Sequence, residues 1–254
     1  MPQISAAGHM LEYQWAGKSG PALVFLHEGL GSIRQWRDFP ARVAAAAGCR
    51  ALVYDRYGYG NSDVLREPRV GVEFMHDGAL NELPELLENL EIENPILVGH
   101  SDGASIALIY AGTYRVRGLA VMAPHVYVEE GGLNSIRKIN AAFETSDLPE
   151  RLGKYHRNAR KTFHLWADAW LDPAFRPWSI EEYLPRIRCP VLAIQGEDDE
   201  YGSMAQLDAI KQQAGGPCEL LQLRACGHSP HKDKPEQVLQ SISSFVRKII
   251  GTDP

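Results

Sequence analysis

The sequence is poor in cysteine and has no cationic leader and no long hydrophobic run, and each shortage excludes a class of protein. Its four cysteines, Cys49, Cys189, Cys218 and Cys226, show no C-x-x-C spacing, so neither a zinc site nor a redox pair is indicated. No apolar stretch approaches the roughly 18 residues of a membrane-spanning helix, and the first residues do not resemble a secretory signal. We therefore expect a cytoplasmic protein with reduced cysteines, no bound metal and no membrane partner.

Clustered positive charge is also missing. The chain has 26 Lys and Arg against 32 Asp and Glu, a net charge of −6, and its basic residues are scattered. Binding to a phosphate backbone or an anionic lipid surface depends on clustered cations, so no nucleic-acid partner is expected. With 254 residues, 44% of them hydrophobic, the chain can bury a large core by itself. This composition is compatible with a monomer or a homodimer.

Short apolar runs recur along the chain and predict buried strands. They lie at 21–27, 50–55, 95–100, 118–124, 190–195 and 218–223. Strands that helices cover on both faces lose the alternation of apolar and polar residues, so these runs indicate a parallel sheet. Helical patterns fill the gaps, over 34–47, 72–90, 104–111, 204–213 and 235–249. The predicted fold class is therefore α/β, with a mostly parallel central sheet flanked by helices.

The alternation of strands and helices stops between residues 125 and 185. This segment holds helix-compatible stretches and no strand pattern. Phe163, Trp166 and Trp170 have the i, i+3, i+7 spacing that places side chains on one face of a helix. These aromatic residues pack against the rest of the chain, line a substrate pocket, or do both. We predict an inserted helical cap at 125–185 on a core domain made of residues 1–124 and 186–254.

A candidate nucleophile lies in the motif Gly99-His100-Ser101-Asp102-Gly103, which follows a predicted strand and precedes a predicted helix. A G-x-S-x-G match alone is a weak signal, but the strand before it and the helix after it make it specific. The flanking glycines allow a tight turn between the strand and the helix, and the start of the helix favours negative charge. We therefore predict that Ser101 is a nucleophile.

A serine hydroxyl needs a base to remove its proton, and a histidine that titrates near neutral pH suits that task. His228 is the best of nine histidines, because Cys226-Gly227-His228-Ser229-Pro230 follows the last predicted strand and precedes the final helix. The orienting acid should follow a strand between the nucleophile and the histidine in the chain. The run Glu197-Asp198-Asp199-Glu200 meets that condition, with Asp199 and Asp198 as the candidates.

The order serine, acid, histidine on alternating strands and helices resembles the α/β-hydrolase superfamily across essentially the whole chain. The loop His27-Glu28-Gly29-Leu30-Gly31-Ser32 looks like that superfamily's oxyanion loop, and Asp55 to Ser62 resembles its turn after the next strand. The resemblance favours Asp199 as the acid. It also implies an oxyanion hole formed by the backbone N–H groups of Gly29 and Asp102. No metal or organic cofactor is implied.

Glu28 departs from the family pattern, because the oxyanion loop most often has a second glycine at this position. A carboxylate beside a site that must stabilise an anion is unfavourable unless it points away or is paired. Arg34 and Arg56 are the candidates for pairing. Glu28 either ties the loop down through hydrogen bonds, or contacts a polar or cationic part of the substrate, or positions the deacylating water.

The function that these residues predict is carboxylesterase-like hydrolysis of an ester or lactone of a small metabolite through an acyl-serine intermediate. The same triad in the superfamily also cleaves carbon–carbon bonds in ring-fission diketones and transfers acyl groups. This chain lacks the Gly-Pro-Gly loop common in the ring-fission hydrolases, and dehalogenases of the fold need a carboxylate where it has Ser101. A non-catalytic protein that binds a small ligand under the cap is the alternative from another class.

Overall fold

The computed structural model describes residues 1–251, and within them it contains one sheet of eight strands. The spatial order of the strands is β1-β2-β4-β3-β5-β6-β7-β8; β1 and β2 are antiparallel to their neighbours and the other strands are mutually parallel. The predicted mostly parallel α/β sheet is confirmed. The strands are β1 Gln3–Ala6, β2 His9–Ala16, β3 Ala22–Leu26, β4 Arg50–Tyr54, β5 Ile96–His100, β6 Gly118–Met122, β7 Val191–Gly196 and β8 Cys218–Leu223.

Helices flank the sheet, and most of them connect consecutive strands. The α-helices are α1 Phe39–Ala47, α2 Phe74–Asp77, α3 Leu83–Asn89, α4 Asp102–Ala111, α5 Glu130–Ala142, α6 Leu148–Gly153, α7 Ala159–Leu171, α8 Ala205–Gln213, α9 Pro230–Asp233 and α10 Pro235–Ile250. Short 3-10 helices lie at Ile33–Trp36, Phe143–Thr145, Pro173–Phe175 and Glu181–Arg186, and one π-helical turn lies at Gly78–Glu82. No helix of residues 1–251 is long and apolar enough to cross a membrane.

The apolar character of the inner strands follows from burial on both faces. Along β3, Leu23 and Phe25 belong to one hydrophobic cluster, whereas Val24 and Leu26 belong to another. Side chains of a strand point alternately to opposite faces, so the two clusters lie on opposite sides of the sheet. This arrangement explains the apolar runs of the five inner predicted strands, whereas β8, at the edge of the sheet, exposes Glu219 and Gln222.

The hairpin β1–β2 was not predicted, because its residues are partly exposed and more polar than those of the inner strands. Ala6 pairs with His9, and Ala7 and Gly8 between them both have positive φ, at 50° and 78°. Positive φ at both central residues is typical of the two-residue type I′ turn of a hairpin. The hairpin extends the parallel strands with an antiparallel edge.

One helix prediction was too long, and another contains a local irregularity. The helix predicted over 34–47 is interrupted at Arg37, whose φ is 54°, and restarts as α1, where Pro40 occupies the first turn. The helix predicted over 72–90 is present as one continuous helical run from Phe74 to Asn89, made of α2, the π-helical turn and α3, with Pro84 just after the π-helical turn. Proline has no N–H group, so it is tolerated in the first turn of a helix and disrupts a helix interior. Pro40 therefore lies at the start of α1, whereas Pro84 lies inside a continuous helical run, directly after the turn where the backbone becomes π-helical.

The chain between β6 and β7 is helical. It contains α5, α6 and α7 together with three of the 3-10 helices. Its β-structure, within the described residues, is one isolated bridge between Tyr127 and Ser179. Trp166 and Trp170 on α7 are buried and reach the end of β5, where Ser101 lies. The division of the chain into a core and a cap at 125–185 remains a prediction.

Candidate active site

Ser101 occupies the turn between β5 and α4. Its φ is 52° and its ψ is −122°, a conformation that a residue with a side chain rarely adopts. The flanking glycines are required by space: a Cβ on Gly99 would lie 2.5 Å from the carbonyl oxygen of Gly103, and one on Gly103 would lie 2.2 Å from that of Leu26. The sequence motif therefore encodes this turn, which holds the serine at the carboxyl end of the sheet.

Ser101, His228 and Asp199 come together in one line of hydrogen bonds. His228 Nε2 lies 2.9 Å from Ser101 Oγ, and His228 Nδ1 lies 2.8 Å and 3.0 Å from the two oxygens of Asp199. When Nδ1–H donates to the carboxylate, Nε2 is left free to accept from the serine hydroxyl. The histidine reaches Ser101 across 127 residues of chain because the parallel strands β5 and β8, which precede the two residues, end at the same edge of the sheet.

Asp199 and Asp198 differ in their environment. The Asp199 side chain is 1% exposed, and Oδ1 also accepts from the backbone N–H of Tyr201 at 2.8 Å and of Gly202 at 3.3 Å. Burial alone would raise the pKa of Asp199, but the hydrogen bond and charge of His228 and the Tyr201 N–H hold it below its usual value. Asp198 is exposed. The structure thus brings Asp199, and not Asp198, to the histidine.

The loop after β3 lies on the other side of Ser101. His27 is fully buried: its Nδ1 lies 2.7 Å from the Glu28 carbonyl oxygen, and its Nε2 accepts from the Arg56 N–H at 3.2 Å. Both ring nitrogens of His27 are therefore engaged in holding the loop. Gly29 packs against α7, since a Cβ there would lie 2.1 Å from Trp166 Nε1. Asp102, the first residue of α4, is buried beside them, and burial raises its pKa.

Glu28 pairs with a residue that the sequence did not suggest. Lys232 Nζ lies 3.0 Å from Glu28 Oε1, and His100 Nδ1 lies 3.4 Å from Oε2. Burial would raise the pKa of Glu28, but Lys232 and His100 bring it well below its usual value. Arg56 instead donates to the Glu28 backbone carbonyl at 3.0 Å. The expected pairing of Arg34 with Glu28 is wrong: Arg34 is exposed and donates to the carbonyl of Lys154.

His125 is a neighbour of Ser101 that the sequence reasoning did not assign to the site. Its Nε2 lies 3.5 Å from Ser101 Oγ, and its backbone exchanges two hydrogen bonds with the hydroxyl of Ser105. Burial, and then the charge of His228, lower the pKa of His125 to about 3, so its ring is neutral at physiological pH. The feature of the sequence that could have identified His125 is its position just after β6. This strand pairs with β5, and the ends of parallel strands meet at one edge of the sheet.

A cavity of about 130 Å³ opens onto Ser101. Polar and aromatic residues line it together with a few aliphatic ones: Glu28, Ser101, Asp102, His125, Glu129, His228, Trp166, Trp170, Tyr201, Leu30, Ile136 and Ile139. Of the residues that the sequence suggested for the pocket, Glu28 and Trp166 line this cavity, and Arg34 does not. A larger cavity of about 520 Å³ lies beside Arg56, Tyr59 and Glu82, but neither Ser101 nor His228 lines it. The smaller cavity is therefore the one next to the reactive groups.

Within residues 1–251, no group of three or more His, Cys, Asp or Glu side chains has an arrangement that could hold a metal ion. The four cysteines are free, and Cys49, Cys218 and Cys226 are buried. Burial raises the pKa of the Cys226 thiol to about 11, so it is protonated at neutral pH.

The fold and this site define a hydrolase of the α/β type, and comparison with known proteins agrees. Residues 23–241 match the model of the Alpha/beta hydrolase family. The chain belongs to this family.

The relatives include enzymes with several activities. The chain is 24% identical over 263 residues to 3-oxoadipate enol-lactonase 1 of Acinetobacter baylyi, covering 95% of both chains. Among solved structures, haloalkane dehalogenase DbeA of Bradyrhizobium elkani superposes with a TM-score of 0.78 at 22% identity, covering 99% of each chain. The enol-lactonase of Burkholderia xenovorans gives a TM-score of 0.73 at 18% identity, covering 96% of this chain and 99% of that one. At such identities the structures show a shared fold.

Proposed function

We propose that the chain is a serine hydrolase that cleaves a carboxylic ester or lactone of a small metabolite. The observation that carries the proposal is the line of hydrogen bonds from Ser101 Oγ through His228 to Asp199, at 2.9 Å and 2.8 Å. A purely structural role would not require a strained serine, a histidine and a buried carboxylate at one cavity. An enol-lactonase both among the relatives and among the similar structures supports the lactone reading.

In the proposed reaction, His228 Nε2 takes the proton of Ser101 as Oγ attacks the carbonyl carbon. The backbone N–H groups of Gly29 and Asp102 donate to the oxyanion that forms, and one such donor is worth roughly 3 kcal/mol of transition-state stabilisation. The intermediate collapses, the bond to the leaving oxygen breaks, and His228 gives that oxygen the proton. A water then adds to the acyl-serine with His228 as base, releasing the acid and restoring Ser101.

Asp199 and His125 have different roles in this scheme. The ionised Asp199 keeps the proton of His228 on Nδ1 and stabilises the imidazolium that forms. His125, neutral because its pKa is about 3, does not compete for the serine proton at neutral pH. A dehalogenase reaction is not proposed, because the enzymes of this fold that perform it need a carboxylate at the position of Ser101.

Intact-mass measurement after treatment with a fluorophosphonate tests the proposal, because the probe detects an activated serine without knowledge of the substrate. We expect one adduct on the native chain and none on Ser101→Ala or His228→Ala. Ser105→Ala is the matched control: Ser105 lies one helical turn away, its hydroxyl binds the His125 backbone, and labelling should persist. A native chain that stays unlabelled would contradict the proposal and favour a protein that binds a small ligand without turnover.

A further inference from the structure

The cavity beside Ser101 has an uneven distribution of charge. Three carboxylate residues line it, Glu28, Asp102 and Glu129, and among the described residues no lysine or arginine does. Such a cavity does not favour an anionic substrate group, unless each carboxylate is neutralised by a neighbour. The surroundings of the three carboxylates therefore decide which charge the cavity accepts.

Glu28 and Asp102 differ in how far their charge is compensated. Glu28 has Lys232 Nζ at 3.0 Å from its Oε1, so its charge is paired. Asp102 is 1% exposed, and its Oδ2 has no partner at hydrogen-bond distance among the described residues. Burial raises its pKa, whereas the charge of Arg56 and the nearby indole groups of Trp170 and Trp166 oppose that rise. This unpartnered oxygen is a second sign, besides the absence of lysine and arginine from the described lining, that a hydrogen-bond donor is missing at this cavity.

Glu129 has no such compensation. Its Oε1 accepts from the hydroxyl of Ser203 at 2.6 Å, and its Oε2 accepts from the N–H of Ser203 at 2.8 Å and from the amide of Gln206 at 2.7 Å. These three donors are neutral, and no ion pair involves Glu129 within the part of the chain that the structure describes. The donors fix the carboxylate in place without cancelling its charge, so it is preorganised for a cation.

The other walls of the cavity fit the same kind of group. Trp166, Trp170 and Tyr201 contribute aromatic rings, whose faces attract cations. Ile136 and Ile139 on α5 add apolar surface that limits access of water. The volume of about 130 Å³ is close to the roughly 150 Å³ of a cavity that holds one benzene molecule. One small substituent therefore fills it.

We propose that this cavity selects esters or lactones whose buried substituent is small and carries an ammonium group, and that Glu129 is the residue that determines this specificity. The proposal rests on the serine-hydrolase function above. An attraction between unit charges several ångströms apart near a protein surface corresponds to about tenfold in affinity or more. We expect a preference of that order for a cationic over a neutral substituent, and discrimination against a carboxylate.

Three methyl esters test the proposal, since they share a leaving group and differ in the charge at the end of the acyl chain. These are methyl 3-aminopropanoate, its neutral isostere methyl butanoate, and monomethyl succinate. The kcat/KM of each is measured by release of acid in a pH-stat for the native chain, Glu129→Gln and Glu130→Gln. Glutamine can keep the hydrogen bonds to Ser203 and Gln206, and Glu130→Gln removes the same charge from an exposed neighbour that pairs with Arg137.

The expected result is that the native chain and Glu130→Gln prefer the ammonium ester about tenfold over butanoate, and that Glu129→Gln loses this preference. Comparing this ratio between the native chain and the two variants cancels the intrinsic reactivity of the esters. Equal ratios in all three proteins, or a preference of the native chain for the succinate ester, would overturn the inference. Turnover of butanoate with such equal ratios would leave the serine-hydrolase function intact.

If no ester is turned over, binding gives the answer directly. Propan-1-amine, which is protonated at pH 7, should raise the Tm of the native chain more than butanoate or butan-1-ol does, and Glu129→Gln should remove the difference. A Tm that responds equally to all three compounds overturns the charge selection. Absence of fluorophosphonate labelling would separately reject the proposed function.

Discussion

Asp199→Asn provides a demanding test, because every hydrogen bond that the carboxylate makes is one in which it accepts. Its Oδ1 accepts from Tyr201 N–H and Gly202 N–H, and both of its oxygens face His228 Nδ1. An asparagine has one acceptor oxygen and an NH₂ group that only donates. With its oxygen held by the two backbone N–H groups, the NH₂ group must point at His228, whose Nδ1 then has to accept.

The consequence for catalysis follows from the tautomer. If Nδ1 accepts, the proton of the neutral ring sits on Nε2, the atom that lies 2.9 Å from Ser101 Oγ. A protonated Nε2 cannot take the serine proton, and a wrong tautomer of this kind costs about 10⁴-fold in kcat. At about 1.36 kcal/mol for each factor of ten, the loss is about 5.5 kcal/mol of transition-state stabilisation.

The assay is steady-state hydrolysis of a small ester across pH, together with the rate of fluorophosphonate labelling. Asp198→Asn is the matched control, since Asp198 is exposed and one residue earlier, and its activity should stay within about twofold of native. A loss of less than tenfold in Asp199→Asn, with the fold intact by circular dichroism, would refute the assignment of the acid. A large loss in Asp198→Asn alone would move the role to that residue.

Three other changes have expected outcomes. Glu28→Gln should lower the free energy of unfolding by about 1 kcal/mol at pH 7, or the Tm by about 2–4 °C. Because the pKa of Glu28 is lowered in the folded state, this difference should vanish as pH falls through that pKa. Unchanged turnover and substrate preference in this variant would exclude a contact between Glu28 and the substrate. Gly29→Ala puts a Cβ 2.1 Å from Trp166 Nε1 and should lower kcat by about 10²-fold or more. Gly71→Ala is the control, because this glycine has open space around it and its kcat should not change. Equal kcat values in the two variants would contradict the role of the loop. Burial raises the pKa of Glu82 to about 7. The free energy of unfolding of the native chain should therefore fall by up to about 3 kcal/mol as pH rises from about 4.5 to 7. Urea unfolding should show a weaker dependence of stability on pH in Glu82→Gln.

The sequence by itself determined the six parallel strands of the sheet and the turn that holds Ser101, because both depend on local patterns. The run at 218–223 matches β8 to the residue, and the other five predicted strands lie within one or two residues of their observed ends. The glycines at 99 and 103 are required by contacts of a tight turn, which any chain with that spacing would face. The order of serine, acid and histidine then followed from where each strand ends.

Only the tertiary structure decided how distant segments meet around the site. Lys232 pairs with Glu28 across 204 residues, whereas the sequence offered Arg34 and Arg56 as equal candidates. The neighbourhood of His125 and Ser101, and the neutral partners of Glu129, likewise depend on which loops the folded chain brings together. Charge pairing depends on distances between atoms, and periodicity along a chain carries no information about distances between its remote loops. The sequence thus indicated the chemistry of the site, and the packing of its loops set the charge of the cavity beside it.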